Sequence, residues 1–289
     1  MNFKALIESQ PKVVEDRHSL SFSRQHLPRE IAQAFSRFGV VMLKGALSAP
    51  MLKSCLSAFR SFVHSSKAGW AESHGGAGSW HSPWRVHCWN FYPAAAVISA
   101  VVKSWTWDVV EELCQSSNIV ILLKFCTARH SIDQSLGVGA HQDAKVVAFE
   151  VPLSLWIPLQ DIVPGENSGL GFVLPQPQEV LPTLPHNDVG ADYVLNDPTK
   201  VWIPRYTAGD FTIHSRFSPH FTTGYGTLSD RFSIEIRAMP RYLAPPEHVD
   251  PAIYVERRRG IPVIVDVKSS NSLDAQEFLA TLKRSATTA

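Results

Sequence analysis

The stretch AGDFTIHSRFSPHFTTGYGTLSDRFSIEIRAMP, residues 208–240, shows most clearly how this chain folds. Apolar and polar residues alternate in DFTIHS and again in FSIEIRAM, and a period of two is typical of half-buried β-strands. The turn signal Ser218-Pro219 and a run rich in threonine and glycine separate these segments. The stretch therefore predicts short antiparallel strands, with His220 at the entrance of one and Arg231 on the next.

The same pattern runs through the chain from about residue 119 onward. Short apolar segments alternate with proline, glycine and asparagine, an arrangement typical of a sandwich or a barrel. The segments are NIVILLKFCTAR (118–129), KVVAFEVPLSLWIPLQDI (145–162), LGFVLPQ (170–176) and VWIPR (201–205). We therefore expect a mainly β protein with an antiparallel body.

The N-terminal part has helical character. In PREIAQAFSRFG (28–39) apolar residues recur at helical spacing, and Gly39 is a typical residue for ending a helix. A short strand, VVMLKGA (40–46), and a second helix capped by Ser48 follow, and residues 94–116 also indicate a helix. The pattern predicts helices that flank and precede the β-body.

Residues 68–92 are crowded with glycine, histidine and tryptophan and have no clean period. This composition predicts a long loop, which is either a functional lid or an exposed insertion. As a lid, the loop would bring Trp80, His81 and Trp84 to a substrate. Trp156, on a predicted strand, would either line the same pocket or pack in the core.

Neither an internal repeat nor a low-complexity linker divides the 289 residues, so the sequence indicates a single domain over 1–289. We expect a helical part over about 1–118, a β-core over about 119–240 and a C-terminal extension over 241–289.

The composition excludes several classes of function. Charged residues make up 18% of the chain and the formal net charge is +1, so no global field would recruit nucleic acid or an anionic membrane. The sequence has neither an apolar run of spanning length nor a secretory signal. Its four cysteines lack C-x-x-C spacing and indicate reduced thiols. We expect a cytoplasmic protein whose partner is a small molecule. The sequence does not indicate the oligomeric state.

The segment GVGAHQDAKVV, residues 137–147, contains the triplet His141-x-Asp143. Such a triplet is either a polar pair at a turn or two ligands of a metal ion. A third ligand would come from the downstream histidines, among which His220 ranks first and His214 second. Two histidines and one carboxylate on one face of an octahedron suit non-haem Fe(II), because three positions stay open for a cosubstrate and O₂.

Arg231 is a candidate for binding a cosubstrate beside these metal ligands. A keto-diacid that chelates the iron needs a cation for its far carboxylate, and the arginine fork is well suited to that role. Thr222 would point the same way as His220 along a strand and could donate its hydroxyl to the same carboxylate. Alternatively, Arg231 forms a salt bridge with Asp230, and Arg237 takes its role if the register differs.

Lys124 interrupts an apolar strand. Its side chain would therefore either face the cavity and help to hold the cosubstrate or reach out to solvent.

An ordered set of segments resembles the phytanoyl-CoA dioxygenase-like family of Fe(II)/2-oxoglutarate-dependent oxygenases. The segments are FSRFGVVMLKGALSAPML (35–52), HQD (141–143), LSLWIPLQDIVPGENSGLGFVLPQ (153–176) and the spaced pattern AGD…H-x-T…SDR (208–231). The resemblance spans roughly residues 30–240 in the right order. One departure is VLPQPQE (173–179), which lacks the family's glycine-serine-histidine, so we expect that loop to be remodelled.

The resemblance implies a double-stranded β-helix, a cupin-like jelly roll preceded by helices, with the metal at its mouth. It implies His141, Asp143 and His220 as iron ligands, and Arg231 with Thr222 for 2-oxoglutarate. We expect the activity to be hydroxylation of a small or medium organic molecule, a biosynthetic intermediate, by O₂ with release of succinate and CO₂. Two alternatives stay open, a zinc-dependent hydrolase or isomerase on the same ligands and a jelly-roll binding protein without catalysis.

Overall fold

The computed structural model of the protein describes residues 20–66, 84–131, 139–146, 153–184, 189–223, 230–268 and 276–282. Its β-strands form two sheets. The strands are β1 (Ser21–Phe22), β2 (Val40–Leu43), β3 (Trp84–His87), β4 (Asn118–Leu122), β5 (Thr127–Ser131), β6 (Leu153–Pro158), β7 (Leu170–Val173), β8 (Val201–Trp202), β9 (Phe211–Ser215), β10 (His220–Thr222), β11 (Arg231–Pro240), β12 (Ala252–Arg258) and β13 (Ile261–Lys268).

The helices are concentrated in the N-terminal part. They are α1 (Pro28–Phe38), α2 (Ala49–Ser66), α3 (Ala94–Lys103), α4 (Thr106–Cys114), α5 (Asp143–Val146), α6 (Ala191–Leu195) and a C-terminal helical segment over 276–282. Within the described ranges, none of them is both long and apolar enough to cross a membrane.

The large sheet is organised around β11. One edge of this strand pairs with β6, and beyond β6 follow β9, β2 and β1. The other edge pairs with two strands in succession: β5 lies against Arg231–Glu235, and β4 lies against Ala238–Pro240. β3 pairs with β5, while the hairpin of β12 and β13 continues the sheet beyond β4. All of these pairings are antiparallel except that of β1 with β2.

The small sheet, in the order β10-β7-β8, faces one side of the large sheet. An apolar cluster lies between the two sheets and includes Met42 and Trp156 from the large sheet and Phe172 and Trp202 from the small one. We call this side of the large sheet its inner face. The opposite, outer face packs against α2, α3 and α4 in a continuous core. The architecture is a jelly roll covered by helices on one side, as predicted.

The end of α1 is set by glycine, as predicted. Gly39 adopts the left-handed conformation with φ of 77°, and its N–H donates to the carbonyl of Phe35 at 2.7 Å. A Cβ atom at this position would lie 2.6 Å from Cβ of Gln176, so a larger residue would clash as well as strain the backbone. The chain therefore turns directly from the helix into β2.

Three segments depart from their predicted structure. The predicted helix over 94–116 is two helices, which meet at Ser104. The predicted strand over 118–129 is β4 and β5 joined by a 3₁₀ turn at Leu123–Phe125, because the two strands pair with different parts of β11. The predicted loop over 68–92 contains β3, because Val86 is buried on the outer face and alternates with two polar residues.

Residues 143–146, partly predicted as strand, form the short helix α5 instead.

The β-structure also extends beyond the predicted boundaries. β12 and β13 lie in the segment predicted as a C-terminal extension, and they widen the large sheet. β12 adds buried residues such as Ile253 and Val255 to the core, so this segment is an integral part of the fold.

Candidate metal centre

His141 and His220 are held side by side by the backbone. The N–H of each residue donates to the carbonyl of the other at 3.0 Å, in an isolated antiparallel bridge at the start of β10. Two residues in such a pair project their side chains to the same face, and their ring centroids lie 4.2 Å apart. The bridge therefore joins two residues that are far apart in sequence into one pair of ligands.

Hydrogen bonds fix which nitrogen of each ring faces the site. Nδ1 of His141 donates to the carbonyl of Gly139 at 2.8 Å, and Nδ1 of His220 donates to the carbonyl of Ser218 at 3.0 Å. A carbonyl can only accept, so Nδ1 carries the proton and Nε2 keeps its lone pair. Metal-binding histidines are commonly oriented by this kind of bond to the second nitrogen. Both rings are thus prepared to bind a cation through Nε2.

Asp143 completes the cluster from the first position of α5. It is 4% exposed, and one ligand atom from each of Asp143, His141 and His220 lies within 4.8 Å of the others. Within the described part of the chain, this is the one group of histidine, cysteine and acidic residues with such geometry. Two imidazole nitrogens and a carboxylate oxygen form a donor set that suits Fe(II) and also Zn²⁺. The residues fit a divalent metal.

Electrostatics keeps both histidines neutral. Burial lowers the pKa of His220 to about 4, and the nearby His214 contributes. Burial also lowers the pKa of His141 to about 4, with a contribution from His220. Only the neutral imidazole binds a metal, so both ligands are in the competent state at neutral pH.

These pKa values predict that the metal-free protein loses stability in mild acid. Between pH 6.5 and pH 4 the unfolded chain binds protons at these histidines and the folded one does not, so stability falls as the pH falls. The loss for His220 is roughly 3 kcal/mol over this window, at about 1.4 kcal/mol for each pKa unit. Urea unfolding at pH 7 and pH 4.5 would measure it, and a His141→Gln/His220→Gln variant should show a smaller difference. An equal difference in that variant would contradict the assignment.

Asp143 is the centre of a buried ionic network on the inner face. Arg237 on β11 donates to both of its oxygens, Nη2 to Oδ1 at 3.1 Å and Nη1 to Oδ2, and also pairs with Glu235. Ser154 on β6 donates to Oδ2 at 2.8 Å. Desolvation raises the pKa of Asp143, but the charge of Arg237 together with the neighbouring His214 and His220 outweighs it and holds that pKa well below its ordinary value. The network keeps the carboxylate ionised and fixes its orientation.

Replacement of Arg237 by leucine should therefore destabilise the metal-free protein strongly. It leaves two buried carboxylates without their cation, which costs about 3–5 kcal/mol. Urea unfolding would measure the loss, and Arg257→Leu is the control. Arg257 pairs with Asp108 and Glu111 where it is 28% exposed, so its loss should cost at most about 1 kcal/mol. Equal losses in the two variants would show that the Arg237 network has no special role.

His214, the second-ranked ligand, lies beside the cluster and is not part of it. It is 1% exposed on β9, its ring centroid lies 4.5 Å from that of His220, and its Nε2 lies 3.4 Å from Oδ2 of Asp143. It contacts two of the three ligands and is placed to support them.

Arg231 lies at the other end of the inner face from the metal ligands. It begins β11, six residues before Arg237, and both arginines point to the inner face, as predicted. Its guanidinium is 1% exposed and donates to Oγ of Ser131 at 2.7 Å and to the carbonyl of Gly169 at 3.2 Å. Asp230, the alternative partner predicted for Arg231, has its Oδ2 3.2 Å from Nε2 of His130. Arg231 is therefore a buried cation inside the jelly roll.

Aromatic and hydroxyl side chains lie next to Arg231 and His220 on the inner face. Trp156 packs its ring 5.4 Å from Cζ of Arg231 and 5.2 Å from the ring of Tyr206. Thr222 is buried on β10, two residues after His220 and on the same side of the strand. The predicted cosubstrate and pocket residues Arg231, Thr222 and Trp156 thus lie within the same jelly roll as the three ligands.

Among the remaining predicted residues, the structure describes the side chain of Lys124 but not those of Trp80, His81 and Trp84. Lys124 is exposed in the 3₁₀ turn between β4 and β5, in agreement with the alternative that its side chain reaches solvent. Trp84 begins β3, but its side chain lies outside the described residues, as do Trp80 and His81.

Sequence reasoning missed several residues of the site. Ser154 and Glu235 hold the Asp143 network, and Ser131 accepts a hydrogen bond from Arg231. For Ser154 and Glu235 the signal was alternation, since each is a polar residue whose two neighbours in the strand belong to the outer core. Gln142 carries no such signal. It is fully buried between two ligands, donates to the carbonyl of Phe217 at 2.7 Å and so anchors the ligand segment.

The fold and the cluster together define a class, a jelly-roll protein with a His-x-Asp…His group at the mouth between its sheets. No protein-family model matches the chain, and neither does any curated protein. Solved structures match it. They include the non-haem monooxygenase ThoJ in its apo form, with 16% identity, a TM-score of 0.61 and coverage of 89% of this chain and 94% of that chain.

Two further matches are the non-haem α-ketoglutarate-dependent carbocyclase SnoK from nogalamycin biosynthesis and EctD from S. alaskensis with 2-oxoglutarate and 5-hydroxyectoine. SnoK has 17% identity and a TM-score of 0.55, covering 85% of this chain and 97% of that chain. EctD has 13% identity and a TM-score of 0.56, covering 83% and 86%. At these identities the likeness shows the jelly-roll fold, while the resemblance to the phytanoyl-CoA dioxygenase-like family stays a prediction.

Proposed function

We propose that the protein is an Fe(II)- and 2-oxoglutarate-dependent oxygenase. The observation that carries this proposal is the cluster of His141, Asp143 and His220 with its free Nε2 atoms, combined with a buried cation at the far end of the same jelly roll. The monooxygenase, the carbocyclase and the EctD complex named above support it through their shared fold. When bound, the iron and 2-oxoglutarate supply oxidation by O₂ with release of succinate and CO₂.

Each part of the proposed site has a defined task. His141, Asp143 and His220 hold the metal on one face and leave the other positions open. Arg237 and Ser154 keep Asp143 ionised and oriented. Arg231 holds the far carboxylate of 2-oxoglutarate in a buried, charge-assisted contact, with Thr222 as a further donor. Trp156 and Tyr206 exclude water from the cosubstrate.

The substrate is proposed to be a small or medium organic molecule, and the reaction a hydroxylation. A monooxygenase and a carbocyclase are both named among the matching structures, so the shared fold alone does not decide the reaction. We propose that nucleic acid and membranes are not partners, in line with the net charge of +1. The cytoplasm is the proposed location.

Anaerobic titration of the Fe(II)-loaded protein with 2-oxoglutarate tests the proposal. Chelation of a keto acid to such an iron should give a weak visible band at about 500 nm. Release of succinate under air would confirm use of the cosubstrate. Stoichiometric iron without a band would contradict the proposal and favour the zinc-dependent alternative, in which a buried Arg231 has no task. Failure to bind iron or zinc would favour a binding protein.

A further inference from the structure

Two arginines face each other on neighbouring strands of the large sheet. Arg85 on β3 lies directly opposite Arg129 on β5, and Arg129 in turn lies opposite Ser233 on β11. Val86 and Ala128, which follow and precede these arginines, are buried in the outer core. Because side chains alternate along a strand, Arg85 and Arg129 both project from the inner face.

This pairing is unfavourable for the sheet alone. Like charges directly opposite each other in an antiparallel pair are destabilising. Within the part of the chain that the structure describes, neither guanidinium group has a hydrogen bond or a close ion pair. Glu235 is near enough to act on both electrostatically, but its carboxylate pairs with Arg237. The sheet thus carries two cations that share the charge of Glu235 at a distance and have no carboxylate of the described chain directly paired with them.

The surroundings of the pair favour an anion. Arg85 is exposed and Arg129 is half-buried, so a ligand can reach both. Desolvation by the surrounding protein lowers the pKa of Arg85, and the charge of Arg129 lowers it further. Both guanidinium groups nevertheless stay protonated at neutral pH. An anionic group between them would relieve this repulsion and gain charge-assisted hydrogen bonds.

The pair also lies close to the metal centre. Thr127, two residues before Arg129, is opposite Glu235, and Glu235 pairs with Arg237, which binds Asp143. Two residues along a strand correspond to about 7 Å. The arginine pair is therefore displaced from the ligands toward β3, on the side of β11 away from β6 and Trp156.

We propose that Arg85 and Arg129 bind a carboxylate or phosphate group of the primary substrate and thereby orient the substrate over the metal centre. This inference rests on the proposed function. The far carboxylate of 2-oxoglutarate is assigned to Arg231, which is buried, whereas this pair is open to solvent.

Calorimetric titration of the full-length protein with three probes tests the inference. The protein is loaded with Zn²⁺ in place of Fe(II) and saturated with 2-oxoglutarate, and the probes are benzoate, phenyl phosphate and the neutral benzamide. At least one anion is expected to bind at least tenfold more tightly than benzamide. The Arg85→Gln/Arg129→Gln variant should lose most of that difference, while Arg258→Gln, which removes an exposed arginine on β12, should keep it.

Three results would overturn the inference: no binding of either anion, unchanged affinity in the double variant, or competition between the anion and 2-oxoglutarate. The single variants Arg85→Gln and Arg129→Gln guard against misfolding, because loss of one like charge should leave the urea midpoint equal or higher. Binding of Zn²⁺ and 2-oxoglutarate is measured first in the same samples. If those fail while arginine-dependent anion binding persists, the oxygenase function is wrong and the anion site stands.

Discussion

Replacement of His220 by alanine is expected to abolish stoichiometric Fe(II) binding and the visible band that 2-oxoglutarate produces with the wild-type protein. The substitution removes one of three ligand atoms and keeps the backbone bridge to His141, because both bonds of that bridge are made by main-chain groups. Loss of a residue that only orients a ligand costs about 10–100-fold in metal affinity. Loss of the ligand itself should cost more, and metal analysis after gel filtration together with competition against a chelator would measure it.

Two companion variants make this result specific. His64→Ala removes an exposed histidine on α2 and should bind iron like the wild type. His214→Ala removes a residue that contacts Asp143 and His220, so affinity should fall within the range for an orienting residue. If His214→Ala loses iron completely and His220→Ala retains it, the third ligand has been assigned incorrectly.

The local parts of this site could be predicted from the sequence because they depend on short-range rules. The turn at Ser218-Pro219 places His220 at the start of a strand, and alternation places Arg231 and Arg237 on one face of the next. The jelly roll follows from the succession of short strands. In each case a few neighbouring residues contain the whole signal.

The contacts that assemble the site could not be predicted in the same way. The bridge between His141 and His220 and the pairing of Asp143 with Arg237 join segments that are distant in sequence. Which of its two predicted positions Lys124 takes also depends on the sheet, because Lys124 lies in a 3₁₀ turn between β4 and β5, which pair with different parts of β11. The order of strands in a sheet cannot be read from local periodicity. That order determines both the assembly of the ligand site and the position of Lys124.

The opposition of Arg85 and Arg129 has the same origin. Arg85 lay in a segment without a clean period, and only its pairing with β5 turns it to the inner face. Such a pair lowers the stability of the sheet, and natural proteins commonly accept a cost of this kind at functional sites. The proposed substrate site and the metal centre would then use opposite sides of β11, with the cosubstrate between β6 and the small sheet.

Replacement of Arg231 by glutamine should raise the 2-oxoglutarate concentration needed for half-saturation and leave Fe(II) binding unchanged. Glutamine keeps donors for Ser131 and Gly169 but removes the charge, and a charge-assisted hydrogen bond contributes about 1.5–3 kcal/mol. We therefore expect roughly 10–100-fold weaker binding of 2-oxoglutarate. Anaerobic titration followed by the visible band measures the affinity, with metal content determined on the same samples.

Arg241→Gln is the matched control, because Arg241 is 53% exposed and contacts only Glu256 among acidic residues of the described chain. It should leave both affinities unchanged. Arg237→Gln distinguishes the roles of the two arginines of β11. It should lower the stability of the folded state and loosen the orientation of Asp143, with a smaller effect on the affinity for 2-oxoglutarate. Should Arg237→Gln lose 2-oxoglutarate while Arg231→Gln retains it, the cosubstrate would lie at the metal end of the strand. The buried Arg231 would then serve the fold, because its bonds to Ser131 and Gly169 already link β11, β5 and the segment before β7.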